Sequence, residues 1–249
     1  MEFAYQTDVG RVRPNNQDYV GLFRNHSHAT LAIVADGMGG HQGGDVASEM
    51  AVSHIGYAFE KTQSSDAETV VKWLMYELQK ENEQILARGQ QFKDLTGMGT
   101  TIVAALMIGH RFVIANIGDS RAYLYRHGRL MQITEDHSLV NELVKSGDLT
   151  PEEAKNFPRK NVITRSLGIA PDVDADVTIY DMEANDMLLL CSDGLTKAVE
   201  DEDLAQIMAA PETLATKAKL MVQAANEAGG PDNVTALLIH NNQGGDDND

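Results

Sequence analysis

The feature that most constrains the fold is a run of short apolar strands separated by turns of two or three residues. Strands are predicted at 100–108, 111–117, 121–126 and 130–134, with hairpin turns at Gly109-His110 and His127-Gly128. Strands joined so closely lie antiparallel, because a parallel pair needs a crossover connection of about a dozen residues or more. The pattern does not fit a doubly wound α/β fold.

Helical segments stand in blocks before and after these strands instead of alternating with them. Apolar residues recur at helical spacing over 45–60 and 66–88, and a later pair of helices is predicted at 201–208 and 214–227. Helices grouped in this way cover the faces of sheets, so we expect an α+β fold with helices outside a two-sheet sandwich. The remaining strands are predicted at 3–7, 19–23, 30–35, 176–180, 187–191 and 234–240.

A polar insertion at 136–165 interrupts this pattern. Thr150-Pro151-Glu152-Glu153 predicts a helix start, with threonine as the cap, proline in the first position and glutamate closing a capping box. The insertion is either a flap over a cleft or a surface loop, and we expect the flap. Because no repeat or linker divides them, residues 1–240 are predicted to form one domain, followed by an acidic disordered tail at 241–249.

Composition narrows the classes of function. The 249 residues carry a net charge of −17, which opposes nucleic-acid binding because a phosphate backbone needs a basic surface. The single cysteine, Cys191, cannot form an internal disulfide, and we interpret it as a small buried side chain rather than a reactive thiol. Neither a signal peptide nor an apolar run of about 20 residues is recognisable, so we expect a cytoplasmic protein without membrane insertion.

Aspartates stand at or near the ends of several predicted strands. Each of them alone is typical of a turn or a helix cap. Together they can face a common cleft, where clustered carboxylates repel one another unless a hard divalent cation neutralises them. Oxygen-rich sites with two metal ions catalyse phosphoryl hydrolysis. The aspartates are Asp18, Asp36, Asp119, Asp193 and Asp232.

The order of the motifs carries more weight than any one of them. Thr96-Gly-Met-Gly-Thr-Thr and Asn116-Ile-Gly-Asp-Ser-Arg-Ala-Tyr look like signatures of the metal-dependent (PPM, type 2C) serine/threonine protein phosphatases. The segments 5–18, 31–49, 187–197 and 229–235 also resemble this family, in order. The resemblance is closest to single-domain bacterial members and covers residues 1–240. It implies a four-layer αββα sandwich of two antiparallel sheets flanked by helix pairs, with a flap insertion.

The resemblance also implies a ligand set for Mn²⁺ or Mg²⁺. Asp36 would bridge two ions, and the backbone carbonyl of Gly37 would join one of them. Asp193 and Asp232 would hold the other ion, whereas Asp18 would act mostly through metal-bound water. Asp119, together with Asp193, resembles a third-metal position of bacterial members. An oxygen-only donor set suits these cations, and the chain contains no Cys/His set with zinc spacing.

Two further residues match catalytic positions of the family. Arg13 matches the arginine that holds phosphate, and a guanidinium suits a bidentate grip; the alternative is a surface charge, since Arg11 is close by. His41 aligns with a histidine proposed as the general acid, although it could instead cap the following helix or face solvent. The implied reaction is direct in-line attack on the phosphomonoester by a water that two ions activate.

The chain departs from the family at two positions near the expected ligands. Gln17 stands where glutamate is common, so affinity for the second ion is expected to differ. Asp45 also stands where glutamate is usual, and it either orients water or starts the helix. Neither change removes a main ligand, so we expect an active enzyme.

The sequence opposes two alternatives to a protein phosphatase. A non-catalytic pseudophosphatase would lack Asp36, Asp193 or Asp232, and all three are present. A two-metal nuclease or phosphodiesterase is opposed by the acidic charge. We therefore expect a monomeric phosphatase of phosphorylated proteins that reverses a bacterial eukaryotic-type serine/threonine kinase.

Overall fold

Two antiparallel β-sheets form the centre of the structure, which is a computed structural model describing residues 1–39, 43–64, 66–155, 157–158 and 162–242. The strands, in chain order, are β1 (Glu2–Asp8), β2 (Asp18–Arg24), β3 (Thr30–Met38), β4 (Gly99–Thr100), β5 (Ile102–Ile108), β6 (Arg111–Ile117), β7 (Arg121–Arg126), β8 (Arg129–Gln132), β9 (Asp176–Asp181), β10 (Met187–Cys191) and β11 (Val234–His240).

Both predicted hairpins are present, one in each sheet. The first sheet has the order β1-β11-β10-β7-β8 and contains the β7–β8 hairpin, which turns at His127-Gly128. The second has the order β2-β3-β5-β6-β9, with β4 pairing β3, and its β5–β6 hairpin turns at Gly109-His110. At one edge of the first sheet, β1 pairs with β11, so the first and last of these strands lie side by side.

Helices cover the two outer faces of the sandwich, and two further short helices lie in the insertion. Their bounds are α1 (Gly44–Glu60), α2 (Ala67–Gln91), α3 (Leu139–Ser146), α4 (Pro151–Lys155), α5 (Asp193–Thr196), α6 (Asp201–Ala209) and α7 (Leu214–Glu227), with a short 3₁₀ turn at Lys93–Leu95.

Three apolar cores separate the four layers. Along β3, Leu31 and Ile33 pack towards α1 and α2, whereas Ala32 and Val34 face the other sheet, as the two-residue period of a strand requires. A third core lies between the first sheet and the later helices, and its buried members include Leu189, Leu204, Leu214, Met221 and Leu238. The predicted α+β sandwich of αββα layers is therefore confirmed.

The predicted helical excursion contains two short helices. Ser138 caps α3 by accepting a hydrogen bond from the Asn141 backbone N–H (3.3 Å), and Gly147 ends the helix with φ of 81°. The capping box before α4 is confirmed, since the Thr150 N–H donates to Glu153 Oε2 (2.8 Å) and the Glu153 N–H donates back to Thr150 Oγ1 (3.3 Å).

The last residues that the structure describes are tied to the first sheet. The Asn241 N–H donates to the Asp186 carbonyl (2.8 Å), and the Asn185 N–H donates to the Asn241 carbonyl (2.8 Å). Residues 243–249 of the predicted tail lie outside the described part of the chain. No helix among the described residues is long and apolar enough to span a membrane.

A buried amide on α2 fixes the segment that returns from the insertion. Asn82 is fully buried; its Oδ1 accepts from the Gly168 N–H (2.7 Å), and its Nδ2 donates to the carbonyls of Ala170 (2.8 Å) and Pro171 (3.1 Å). The residue before Gly168, Leu167, exchanges two backbone hydrogen bonds with Thr100 of β4. The insertion is thus anchored on the helix that covers the second sheet.

Asn82→Ala is expected to lower the free energy of unfolding by about 1–3 kcal/mol, because it leaves the buried Gly168 N–H without its acceptor and removes the donor to the Ala170 carbonyl. Urea denaturation of the full chain measures this loss. Lys72→Ala, an exposed position on the same helix, is the control and should change stability by less than about 0.5 kcal/mol. Equal stability of the two variants would contradict the anchoring role of Asn82.

Candidate metal centre

The ends of four strands bring four of the five aspartates to one mouth of the sandwich. Asp18 and Asp36 lie opposite each other in the β2–β3 ladder of the second sheet. In the first sheet, Asp193 follows β10 and Asp232 stands two residues before β11. A cleft of about 590 Å³ opens there, lined by Arg13, Gln17, Asp36, Gly37, Met38, Ile163, Asp193, Lys197, Asp232 and Asn233, among others.

Asp18 joins the two sheets through its carboxylate. Its Oδ2 accepts hydrogen bonds from the hydroxyls of Ser192 (2.6 Å) and Thr235 (2.7 Å). Ser192 directly follows β10 and Thr235 lies in β11, so both donors come from the first sheet. All three residues are buried. Because both donors occupy one oxygen, the other oxygen is left to bind something else. The bonds therefore fix the orientation of the carboxylate.

Asp36 is held by its backbone rather than by its side chain. Its N–H donates to Thr101 Oγ1 (3.0 Å), and its carbonyl accepts from Thr100 Oγ1 (2.9 Å) and from the Thr101 N–H (2.9 Å). The Thr-Thr pair of the predicted signature thus positions this aspartate. The Asp36 carboxylate remains directed to the cleft that it lines.

Gly37 is required by the close approach of α1 to the end of β3. A Cβ at this position would collide with the backbone of Gly44, and it would lie 2.7 Å from the Gln17 carbonyl oxygen. That carbonyl accepts hydrogen bonds from the Gly37 N–H (3.0 Å) and from Ser48 Oγ (2.6 Å). A glycine at 37 therefore lets the start of α1 pack against the rim of the cleft.

Asp119 lies in a second cleft that adjoins the first. It sits in the turn between β6 and β7, is buried, and shares with Asp193 a polar cleft of about 650 Å³. Its neighbour Ser120 shares a hydrogen bond (2.8 Å) with Thr101, the residue that also holds the backbone of Asp36. One threonine hydroxyl therefore connects the two carboxylate positions.

Burial and mutual repulsion raise the pKa values of these carboxyl groups. Burial raises the pKa of Asp18 to about 7, although the Ser192 and Thr235 hydroxyls act in the opposite direction. Burial and the nearby Asp193 likewise raise the pKa of Asp119 to about 7. Burial and Asp18 raise the pKa of Asp36 well above its usual range. A nearby cation is therefore needed to keep these three carboxyl groups ionised at neutral pH.

The donor set fits divalent cations that prefer oxygen. The Oδ1 atoms of Asp18, Asp119 and Asp193 are buried and have no hydrogen-bond partner within the described part of the chain. Unpaired buried carboxylate oxygens are costly unless a cation binds them. The described residues contain no group of three or more His, Cys, Asp or Glu side chains already gathered around one point, so carbonyl and water ligands would have to complete each coordination shell.

Two basic side chains already neutralise carboxylates of the cleft. The Arg13 guanidinium grips Asp232 with two contacts, from Nε to Oδ1 (2.8 Å) and from Nη2 to Oδ2 (3.0 Å). The Lys197 ammonium contacts Asp193 and lies 3.6 Å from Asp232 Oδ2. Burial by itself lowers the pKa of Lys197, but the carboxylates of Asp193, Asp232 and Asp119 together outweigh this effect and raise the pKa.

Similarity to known proteins identifies the family of this chain. The family model described as Protein phosphatase 2C matches residues 11–237. The chain belongs to the protein phosphatase 2C family. It is 45% identical over 243 residues to the "Serine/threonine phosphatase stp" of Listeria welshimeri. The aligned residues cover 97% of this chain and 96% of the relative. The predicted family and the predicted class of enzyme, a metal-dependent serine/threonine phosphatase, are confirmed.

Solved structures of type 2C phosphatases superpose over nearly the whole chain. The serine/threonine phosphatase of S. agalactiae has a TM-score of 0.92 at 42% identity, covering 95% of this chain and 98% of that one. The catalytic domain of the phosphatase PstP, in complex with two manganese ions, has a TM-score of 0.83 at 38% identity, covering 95% and 96%. A relative of the same fold thus binds two manganese ions.

Sequence reasoning missed several residues of this phosphatase site. Ser192 precedes Asp193 and Thr235 lies within β11, so neither stands in a motif that marks it as a donor to Asp18. Lys197 follows Asp193 by four residues, a helical spacing that could have indicated the ion pair. His41, predicted as the general acid, lies outside the described residues.

The departures and the cysteine also have a place in the structure. The Asp45 carboxylate accepts from the N–H of its neighbour Val46 (2.9 Å) in the first turn of α1, as the helix-start interpretation expects. The Gln17 backbone N–H donates to Asn233 Oδ1 (2.9 Å). Cys191 is fully buried, and burial raises its pKa to about 12, so the interpretation as a buried apolar side chain is supported.

In a chelator, the protein is expected to lose stability as the pH rises from 5 to 8. The folded-state pKa of Asp18, about 7, lies above its ordinary value of 3.8, so the folded protein holds this proton more strongly than the unfolded chain does. The loss from this group is on the order of 3 kcal/mol and is complete once the pH passes 7.

Urea denaturation at the two pH values measures the difference. Asp18→Asn, which keeps an acceptor but does not titrate, should reduce it, and Mn²⁺ should stabilise the wild-type protein at pH 8 by binding the folded state. Stability that is equal or greater at pH 8 without metal would contradict this account of the carboxylates.

Proposed function

We propose that this chain removes phosphate from phosphoserine and phosphothreonine in proteins, using two Mn²⁺ or Mg²⁺ ions. The observation that carries the proposal is the convergence of Asp36, Asp193 and Asp232 from two sheets on one cleft, with Asp18 opposite Asp36 in the β2–β3 ladder. The unpaired buried oxygens of Asp18 and Asp193 add to it. When bound, two such ions supply a water nucleophile at neutral pH and offset phosphoryl charge.

Each ligand has a role that its position supports. Asp36 would bridge the two ions from the end of β3, and the Gly37 carbonyl would join one of them. Asp193 and Asp232 would hold the other from the opposite sheet. Asp18, whose hydrogen bonds leave one oxygen for binding, would act through water. Asp119 and Asp193 would supply a third, weaker position.

Arg13 would bind the phosphate group of the substrate. Its guanidinium already grips a carboxylate with two parallel contacts, which is the geometry that a phosphate dianion also offers. With the side chain 52% exposed, the guanidinium can turn from Asp232 to an entering phosphate without leaving the cleft. Metal binding to Asp232 would favour this exchange by taking over the charge of the carboxylate.

The leaving alkoxide needs a proton, and His41 stays the predicted donor. The direct path to a serine or threonine product then needs no covalent intermediate on the protein. The resemblance to bacterial members of the family supports the proposed setting, in which a cognate bacterial serine/threonine kinase supplies phosphorylated protein substrates to a monomer in the cytoplasm. A nucleic-acid substrate is disfavoured by the net charge of −17.

Asp36→Asn and Asp232→Asn are expected to lower phosphate release from a phosphothreonine peptide in Mn²⁺ by more than the roughly 10–100-fold that loss of an outer-shell partner costs. Both variants keep the size of the side chain and remove one charge. Asp203→Asn, at an exposed position in α6, is the matched control and should retain wild-type turnover.

A phosphotyrosine peptide and a phosphodiester dinucleotide assayed in parallel separate this function from related hydrolases. Turnover that persists in chelator, or that is greatest on the diester, would overturn the proposal.

A further inference from the structure

A lysine lies between the two clefts of the site. Lys197 follows α5, and its backbone N–H donates to the Asp193 carbonyl (2.8 Å), which fixes its Cα one helical turn beyond the aspartate. Its ammonium contacts the Asp193 carboxylate and lies 3.6 Å from Asp232 Oδ2. The side chain lines both the cleft of Asp36 and the cleft of Asp119.

The backbone keeps this ammonium near Asp193. Residues four apart on a helical turn lie on the same face, so the backbone places the side chains of Asp193 and Lys197 next to each other. The side chain is 30% exposed, compared with 52% for Arg13. Lys197 is therefore the more enclosed of the two cations, and it acts electrostatically on Asp119 as well.

Charge repulsion disfavours a third ion at this position. The Lys197 ammonium already contacts the Asp193 carboxylate and acts on Asp119 as well. A divalent cation between Asp119 and Asp193 would lie within a few ångströms of this positive charge, and the two would repel each other. A neutral side chain at position 197 would remove that repulsion and leave both carboxylates available to the ion.

We propose that Lys197 is a built-in counter-ion that takes the place of a third divalent cation between Asp119 and Asp193. The chain then binds two ions firmly and the third only weakly. This inference rests on the proposed two-ion site. Lys197 is a positioning residue in this account, since it acts through Asp193 and Asp119 rather than on the phosphate.

Calorimetric titration of the metal-stripped protein with Mn²⁺ tests the proposal. Lys197→Met, which keeps the length of the side chain and removes its charge, is expected to bind a third ion about tenfold or more tightly than the wild type, because a unit charge a few ångströms away is removed. Lys197→Arg should bind as the wild type does. Asp119→Asn combined with Lys197→Met should lose the additional binding.

Two controls keep the result interpretable. Lys219→Met, an exposed lysine on α7, should leave the titration unchanged. Thermal melting verifies that each variant is folded, and Lys197→Gln replaces Lys197→Met if the latter does not fold.

The outcomes separate this proposal from the function on which it rests. Two ions bound by the wild type and a third gained by the neutral variants supports the counter-ion. Equal numbers and affinities in wild type and neutral variants overturn it and leave the two-ion phosphatase intact. Absence of Mn²⁺ binding in every folded variant overturns both.

Discussion

The structure depends on one electrostatic constraint, the mutual repulsion of carboxylates buried at a common mouth of two sheets. Burial alone pushes Asp18, Asp36 and Asp119 towards their protonated forms, and each carboxylate strengthens the effect on its neighbours. A fold would not keep such a cluster without compensation. Arg13 and Lys197 supply part of it, and the unpaired oxygens indicate that divalent cations supply the rest.

The sandwich supports this cluster by hydrogen bonds that cross between layers. Ser192 and Thr235 hold Asp18 from the opposite sheet, while Thr100 and Thr101 hold the backbone of Asp36. Because these hydroxyls are buried, the carboxylate of Asp18 and the backbone of Asp36 are fixed before any ion arrives. Such preorganisation lowers the reorganisation needed when the phosphate group gains charge in the transition state.

The local parts of this arrangement could be predicted and the non-local parts could not. The turn at Gly109-His110 and the box at Thr150 follow from residues within a few positions of each other, so pattern and capping rules sufficed. The pairing of Asp18 with Asp36 requires the order of strands in the second sheet, and the bond from Thr235 to Asp18 spans 217 positions of the chain. Repulsion predicted a cation, but only the fold placed Lys197 within reach of Asp232.

Anomalous diffraction from crystals grown with Mn²⁺ tests the central claim most directly, because it locates the cations independently of activity. We expect two peaks about 3.5–4 Å apart, each within about 2.0–2.6 Å of a carboxylate oxygen of Asp36. The contradicting result is that fully occupied ions are found only elsewhere on this acidic surface, while Arg13 and Lys197 still contact Asp232 and Asp193. These aspartates would then not form a metal centre.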